Sequence, residues 1–135
     1  MIKAIIFDFF GVLERNGVPD RPLLDFIADR LKPKYKIGII SNSSGAGLKK
    51  LLGNNVELFD DVVVSEEVQL YKPDPEIYEL AAKRLGVSPN QCVYVDNHDY
   101  RIEGAEATGM TGIVYKDFVK FEADLSQVLA ADSNN

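Results

Sequence analysis

Polar side chains of types that transfer phosphoryl groups recur in this sequence just after short apolar runs or in the turns between them. The residues with this placement are Asp8, Ser41, Asn42, Lys72, Asp96 and Asn97. An aspartate can attack phosphorus, a lysine can neutralise the charge that develops, and carboxylate and amide oxygens can hold Mg²⁺. The pattern therefore predicts a phosphoryl-transfer site with Asp8 as nucleophile.

Each of these residues also has a purely structural interpretation. An aspartate after a strand more often caps a turn than attacks a substrate, and Ser43-Ser44 before a helix is a common N-terminal cap. His98 has no partner in the sequence that would activate it, so we expect no catalytic role for it. Cys92 lies in an apolar run and is interpreted as a small core residue. The combination of residues, rather than any one of them, favours an active site.

Alternating strands and helices must position these residues. We predict strands at 2–7, 35–40, 59–65, 92–95 and 111–115, and helices at 22–31, 46–52, 75–85, 101–108 and 119–129. Such alternation is typical of a doubly wound parallel α/β sheet, here of about five strands flanked by helices. Ligands bind at the carboxyl ends of the strands, so Asp8, Ser41, Ser65 and Asp96 should share one edge. Residues 14–21 should form a loop or flap, and Asp99 should cap the following helix.

Length and composition indicate one globular domain. The 135 residues suffice for one hydrophobic core, predicted over residues 1–131 with a polar tail at 132–135. A net charge of −6, spread along the chain, argues against general nucleic-acid binding. No apolar run is long enough for a membrane span, and no signal peptide is recognisable. A single cysteine favours a reducing cytoplasm.

The order of the motifs resembles the haloacid dehalogenase (HAD) superfamily over nearly the whole chain. Residues 8–13 (DFFGVL) resemble its first motif and residues 39–42 (IISN) its second. Residues 72–78 (KPDPEIY) resemble the third, and 93–97 (VYVDN) followed by 103–105 (EGA) resemble the fourth. The residues of these motifs are similar to those of sugar-phosphate phosphatases and of the phosphatase domain of soluble epoxide hydrolases.

The resemblance implies a Rossmann-like fold and a role for each matching residue. Asp8 would be the nucleophile, and Lys72 would orient it. The residues expected to contact substrate are Phe9, Phe10, Ser41 and Asn42. The expected Mg²⁺ ligands are Asp8, the main-chain carbonyl of Phe10, Asp96 and Asn97.

Departures from the family pattern bear on turnover and on substrate size. Phe10 stands where phosphatases usually carry a second aspartate, and a missing proton relay costs about 10²–10⁴-fold in rate. Asn97 replaces a usual metal-binding aspartate, and Arg101 stands where many members have an acid or an asparagine. The usual helical cap has no counterpart between the first two motifs. We therefore expect an open cleft, suited to large substrates or covered by a neighbouring subunit.

Several function classes remain open from the sequence. The favoured one is a small, capless, Mg²⁺-dependent hydrolase that acts slowly on a phosphate ester. The alternative is a catalytically weakened relative that binds a phosphorylated ligand or a protein. A phosphoacceptor receiver domain fits poorly, because its acceptor aspartate ends the third strand, whereas Asp8 ends the first. A dehalogenase is disfavoured, because a capless site has no apolar pocket for a halide.

Overall fold

A computed structural model describes residues 1–133 and shows a five-stranded parallel sheet and a two-stranded hairpin. The strands are β1 (Ala4–Phe7), β2 (Glu14–Arg15), β3 (Val18–Pro19), β4 (Lys36–Ser41), β5 (Asp61–Val64), β6 (Cys92–Asp96) and β7 (Thr111–Val114). The helices are α1 (Arg21–Phe26), α2 (Gly45–Leu52), α3 (Ser65–Val68), α4 (Pro75–Arg84), α5 (Asp99–Glu106) and α6 (Phe118–Ser133). A π-helical turn, Ile27–Leu31, continues α1, and 3₁₀ turns lie at Gly53–Leu58 and Pro89–Gln91.

The order of the large sheet, β5-β4-β1-β6-β7, places β1 at its centre. Phe7 pairs in parallel with Ile39 of β4 on one side and with Val95 of β6 on the other. This register brings Asp8, just after β1, to the same edge as the ends of β4 and β6. The predicted doubly wound α/β fold is confirmed.

Helices cover both faces of the sheet, and the alternation of side chains along β1 builds two cores. Phe7 packs in the core under α1, α2 and α6, together with Leu24 and Phe121. Ile6 packs in the opposite core under α4 and α5, together with Tyr78. Every residue of β1 is buried, as expected for the central strand of a sheet with helices on both faces.

Several boundaries differ from the sequence prediction. The predicted flap contains the hairpin β2–β3, and α1 begins at Arg21 with Asp20 accepting a hydrogen bond from the Leu23 N–H at 3.1 Å. Strand β5 ends at Val64, and Ser65 begins α3 rather than ending a strand. Asp99 is the first residue of α5, whose N-cap position is His98, so the predicted cap was wrong.

The predicted polar tail also differs, because α6 continues through Ser133. The Asp132 carboxylate accepts a hydrogen bond from the main-chain N–H of Ile2 at 2.8 Å. This contact ties the last helix to the segment that leads into β1. The remaining tail residues, 134–135, lie outside the described part of the chain.

The segment between β1 and β4 is short. Within the described residues it contains only the hairpin β2–β3, helix α1 and the π-helical turn that continues it. None of the helices in residues 1–133 has both the length and the apolar character needed to cross a membrane.

Gly104 lets α5 pack directly on the turn that carries Lys72. A Cβ built at Gly104 would lie 2.6 Å from the Pro73 carbonyl oxygen, whereas a Cβ at Gly47 in α2 would have no neighbour closer than 3.9 Å. We predict that Gly104→Ala lowers the free energy of unfolding by about 1–3 kcal/mol through overpacking. Gly47→Ala should raise it by up to about 1 kcal/mol, because alanine favours helix. Urea denaturation measures both, and equal effects would contradict the packing argument.

Candidate active site

The ammonium group of Lys72 is buried at the carboxyl edge of the sheet. Its Nζ donates hydrogen bonds to Asp8 Oδ1 at 2.9 Å and to Asp96 Oδ2 at 3.0 Å. It also lies 2.9 Å from the Ile40 carbonyl oxygen and 2.8 Å from the Tyr94 hydroxyl. The Lys72 and Asp96 side chains are inaccessible to solvent and Asp8 is only 2% exposed, so these charges interact without screening by water.

Tyr94 completes the hydrogen bonding of this group. An ammonium has three N–H donors, and Lys72 faces four acceptors. The Tyr94 hydroxyl donates to Asp96 Oδ2 at 2.6 Å, so Lys72 can supply Asp8, Ile40 and Tyr94 while Tyr94 supplies Asp96. Every buried acceptor then has a donor, which is the condition for burying such charges at tolerable cost.

The buried setting shifts the ionisation of Asp8 and Tyr94. Burial raises the pKa of the Asp8 carboxyl, opposed by the ammonium of Lys72 and reinforced by the negative charge of Asp96. Burial also raises the pKa of Tyr94 well above its usual value, and the carboxylates of Asp96 and Asp8 add to the shift. Tyr94 therefore keeps its proton and acts as a hydrogen-bond donor.

The main chain at Lys72 is held by Asn42, which follows β4. The Asn42 Oδ1 accepts from the Lys72 N–H at 2.9 Å, and its Nδ2 donates to the Lys72 carbonyl at 3.1 Å. Asn42 was predicted to bind phosphate, but in the structure both ends of its amide position Lys72. Ser41 is 1% exposed, and its Oγ lies 2.6 Å from the Ser43 Oγ.

The second carboxylate oxygen of Asp8 faces the opposite, more open side of the site. With its nitrogen turned inward, the exposed Asn97 amide donates to Asp8 Oδ2 at 3.2 Å and to Asp96 Oδ1 at 3.1 Å. The Arg101 guanidinium approaches the same Asp8 oxygen, with Nη1 at 3.9 Å. Asp8 is therefore held by Lys72 on one side and faces Asn97 and Arg101 on the other.

The residues at this open side fit a hard cation. With the amide of Asn97 rotated, its oxygen stands beside carboxylate oxygens of Asp8 and Asp96, which is the oxygen-only donor set that Mg²⁺ prefers. Within residues 1–133 no three His, Cys, Asp or Glu side chains form a cluster, so a metal here would depend on neutral oxygens as well. The predicted contribution of the Phe10 carbonyl stays a prediction.

The two phenylalanines after Asp8 have different environments. Phe9 is fully buried in the core, so only its main chain is left to contact a ligand. Phe10 is 41% exposed and packs edge-to-face on Phe9, with ring centroids 4.8 Å apart. Gly11 follows with φ +86°, and a Cβ there would collide with the Asn97 side chain. Glycine therefore allows this loop to approach the end of β6.

A cavity of about 420 Å³ adjoins Asn97 between the hairpin β2–β3 and the end of β7. Its lining comprises Gly11, Glu14, Arg15, Asn16, Asn97, Tyr115 and Lys116. Arg15 bridges the two walls by donating from Nη2 to the Lys116 carbonyl at 2.9 Å. Two basic residues, Arg15 and Lys116, and one acidic residue, Glu14, line the cavity, so its lining is net positive and favours an anion.

Comparison with known proteins places this site in a family. The model of the haloacid dehalogenase-like hydrolase family matches residues 18–109, more than half of the chain. The chain belongs to this HAD-like family. The predicted family resemblance is therefore confirmed.

Two curated relatives illustrate the range of the family. Over 119 residues the chain is 31% identical to (S)-2-haloacid dehalogenase 1 of Pseudomonas sp. (strain CBS-3), a match covering 77% of this chain and 52% of that protein. Over 84 residues it is 40% identical to the glyceraldehyde 3-phosphate phosphatase of Methanopyrus kandleri, covering 58% of this chain and 35% of that protein. The chain thus spans about half or less of the length of these relatives.

Among solved structures, a HAD family enzyme of Bacteroides thetaiotaomicron in complex with magnesium and inorganic phosphate shares the fold. The TM-score is 0.74 at 16% identity, and the match covers 86% of this chain and 95% of that one. At this identity the likeness shows the HAD fold alone.

The HAD-like site brings together most of the residues expected from the sequence. Asp8, Lys72 and Asp96 meet in one buried cluster, and Asn97 lies against two of them. The sequence interpretation missed Tyr94, although a tyrosine two residues before Asp96 on one strand must point to the same face. It also did not predict that Arg101 lies near Asp8, because this contact depends on the position of α5 against β1.

Tyr94→Phe tests whether the hydroxyl is needed to bury the charges. The substitution removes the buried hydrogen bond from the Tyr94 hydroxyl to Asp96 Oδ2, and the Lys72 ammonium, 3.0 Å from the same oxygen, becomes its donor instead. We therefore expect the free energy of unfolding to fall by about 0.5–1.5 kcal/mol, the net contribution of one hydrogen bond. Tyr71→Phe is the control, because Tyr71 is 49% exposed. Chemical denaturation of both variants measures the effect. A free energy of unfolding equal to that of wild type in Tyr94→Phe would show that the assignment of hydrogen-bond donors around Lys72 is wrong.

Proposed function

We propose that this chain is a slow, Mg²⁺-dependent phosphatase with Asp8 as its nucleophile. The observation that carries the proposal is the environment of Asp8. One carboxylate oxygen is held by Lys72 at 2.9 Å, and the other faces the open side with Asn97 and Arg101. The phosphatase and dehalogenase names among its relatives support a hydrolase, and the basic approach through Arg15 and Lys116 favours a phosphate ester.

The residues of the chain divide the reaction between them. The Asp8 carboxylate attacks phosphorus, a bond forms from its oxygen, and the bond from phosphorus to the ester oxygen breaks. Lys72 holds the attacking group in one orientation, and Tyr94 keeps Asp96 in place beside it. The leaving alcohol takes its proton from water, because Phe10 has none to give. Water then attacks phosphorus and restores the carboxylate with release of phosphate.

Mg²⁺ would be held by Asp8, Asp96, Asn97 and the Phe10 carbonyl. When bound, it would offset the repulsion between an anionic nucleophile and an anionic ester. Two of these ligands, the Asn97 amide and the Phe10 carbonyl, are neutral, so the chain supplies two carboxylates where an aspartate at position 97 would make three. Metal affinity should therefore be low.

The substrate is proposed to be a phosphate ester of considerable size. Only the hairpin, α1 and its π-helical extension lie between β1 and β4, which leaves the edge of the sheet near Asn97 open. A neighbouring subunit is the other way of covering such a site. We also propose a reducing, cytoplasmic location, because the sequence has a single cysteine, Cys92, and so forms no internal disulfide.

Asp8→Asn is the central test of the activity. It keeps the shape and removes the nucleophile, so Mg²⁺-dependent hydrolysis of p-nitrophenyl phosphate should fall to the uncatalysed rate. Asp124→Asn is a matched control, because Asp124 lies on α6 away from the site and forms an ion pair with Lys120 at 2.7 Å. Equal, metal-independent rates in wild type and Asp8→Asn would assign the hydrolysis to a contaminant and favour the binding-module alternative. Release of chloride from 2-chloropropionate in the same panel would instead favour a dehalogenase.

Asn97→Asp tests whether a missing charge limits metal binding. A third carboxylate should lower the Mg²⁺ concentration for half-maximal activity by roughly tenfold, a gain of about 1.4 kcal/mol. It should also enlarge the rise in melting temperature on adding Mg²⁺. Phe10→Asp is the comparison, because it adds a proton relay and should raise turnover with little change in Mg²⁺ demand. A Mg²⁺ requirement that is the same in Asn97→Asp and wild type would contradict the metal assignment.

A further inference from the structure

The charges at the site balance without a metal ion. Two carboxylates, Asp8 and Asp96, lie with two cations, Lys72 and Arg101, in one cluster. We infer that Arg101 is a built-in counter-charge that lets the cleft bind phosphate without Mg²⁺ and that competes with Mg²⁺ at Asp8. The inference takes phosphate as the ligand from the proposed function and does not require hydrolysis.

Lys72 and Arg101 lie next to different oxygens of the Asp8 carboxylate. The Lys72 ammonium bonds Asp8 Oδ1, while the Arg101 Nη1 lies 3.9 Å from Oδ2. That second oxygen also faces Asn97, so Arg101 stands beside the position where a cation would sit. The Arg101 side chain is only 19% exposed, which limits the screening of its charge by water.

The guanidinium keeps donors for an anion. At 3.9 Å, Arg101 makes no direct hydrogen bond to Asp8. Among the described residues its guanidinium makes one hydrogen bond, from Nε to the Tyr100 hydroxyl at 3.1 Å. The N–H groups on Nη1 and Nη2 remain, and this planar fork matches two oxygens of a phosphate.

The position of Arg101 is set before any ligand binds. Its guanidinium carbon lies 5.5 Å from the centroid of the Tyr100 ring, and its main-chain carbonyl accepts from the Tyr78 hydroxyl at 2.8 Å. Tyr78 is fully buried and packs against Tyr94. The main chain at Arg101 is therefore fixed, and the contact with Tyr100 reduces the freedom of its side chain, which favours affinity.

The same charge opposes a divalent cation. The Asp8 Oδ2 that would help to hold Mg²⁺ already has the Arg101 guanidinium 3.9 Å away, in a cluster whose two carboxylates are matched by two cations. Asn97 adds no negative charge to draw the metal in. Phosphate, by contrast, can bond the N–H groups that Arg101 leaves free, whereas the donors of Lys72 are already engaged in the buried cluster.

Calorimetry with inorganic phosphate as the probe tests the inference. In EDTA, the wild-type chain should bind phosphate, and Arg101→Gln should weaken binding at least tenfold. Arg101→Lys should retain part of the affinity, because it keeps the charge and loses the fork. Arg84→Gln is the matched control, since Arg84 pairs with Asp61 at 2.7 Å outside the site. Titration with Mg²⁺ alone should show tighter binding to Arg101→Gln than to wild type.

Three results would overturn the inference. They are no phosphate binding by folded wild type in EDTA, equal phosphate affinity in wild type and Arg101→Gln, and equal Mg²⁺ affinity in both. If Arg101→Gln fails to fold by circular dichroism, Arg101→Lys replaces it, and affinity equal to wild type then overturns the role of the fork.

Failure of the inference and failure of the proposed function are distinguishable. Mg²⁺-dependent hydrolysis that depends on Asp8, without phosphate binding in EDTA, keeps the function and overturns the inference. Arg101-dependent phosphate binding in EDTA, with no hydrolysis at any Mg²⁺ concentration, keeps the inference and overturns the function.

Discussion

The buried ammonium of Lys72 is the interaction on which the rest of this structure depends. Two carboxylates and one ammonium lose their hydration here, and only a complete set of hydrogen bonds offsets that cost. The central strand β1 leads to Asp8, β4 contributes the Ile40 carbonyl, and β6 contributes Tyr94 and Asp96. These three strands are neighbours in the sheet, and their parallel direction brings the acceptors to one edge. The sheet order and the charge cluster therefore support each other.

The sequence was sufficient to predict this edge because the underlying rule is local. Apolar runs mark buried strands, and the first polar residue after a run lies at the strand end, as Asp8 does. The same rule places Ser65 directly after β5, although the chain enters α3 there instead of extending the strand. The expected tail at Asp132 is a different case, because its polar composition does not reveal that α6 continues or that the Asp132 carboxylate contacts the distant Ile2 N–H.

The contacts of Asn42 and Tyr94 with Lys72, and of Arg101 with Asp8, could not be predicted in the same way, because each joins segments that are distant in the chain. Asn42 and Lys72 are 30 residues apart in the chain, and their two hydrogen bonds exist only once the turn after α3 lies against the end of β4. Motif knowledge assigned Asn42 to phosphate and said nothing about Tyr94. Alternation along β6 puts Tyr94 and Asp96 on one face of the sheet. The link that the Tyr94 hydroxyl makes between Lys72 and Asp96 becomes evident only when Lys72 is also seen at this position.

The two sides of Asp8 carry different constraints. On the Lys72 side the charged side chains are buried, so a change there leaves an uncompensated charge in the interior and threatens the fold. On the other side Phe10 and Asn97 are exposed, and Arg101 reaches in from α5 without a direct hydrogen bond to Asp8. We therefore expect substitutions there to affect ligand binding more than stability. The buried network would persist in a hydrolase and in a binding protein alike, so the open side of Asp8 decides between them.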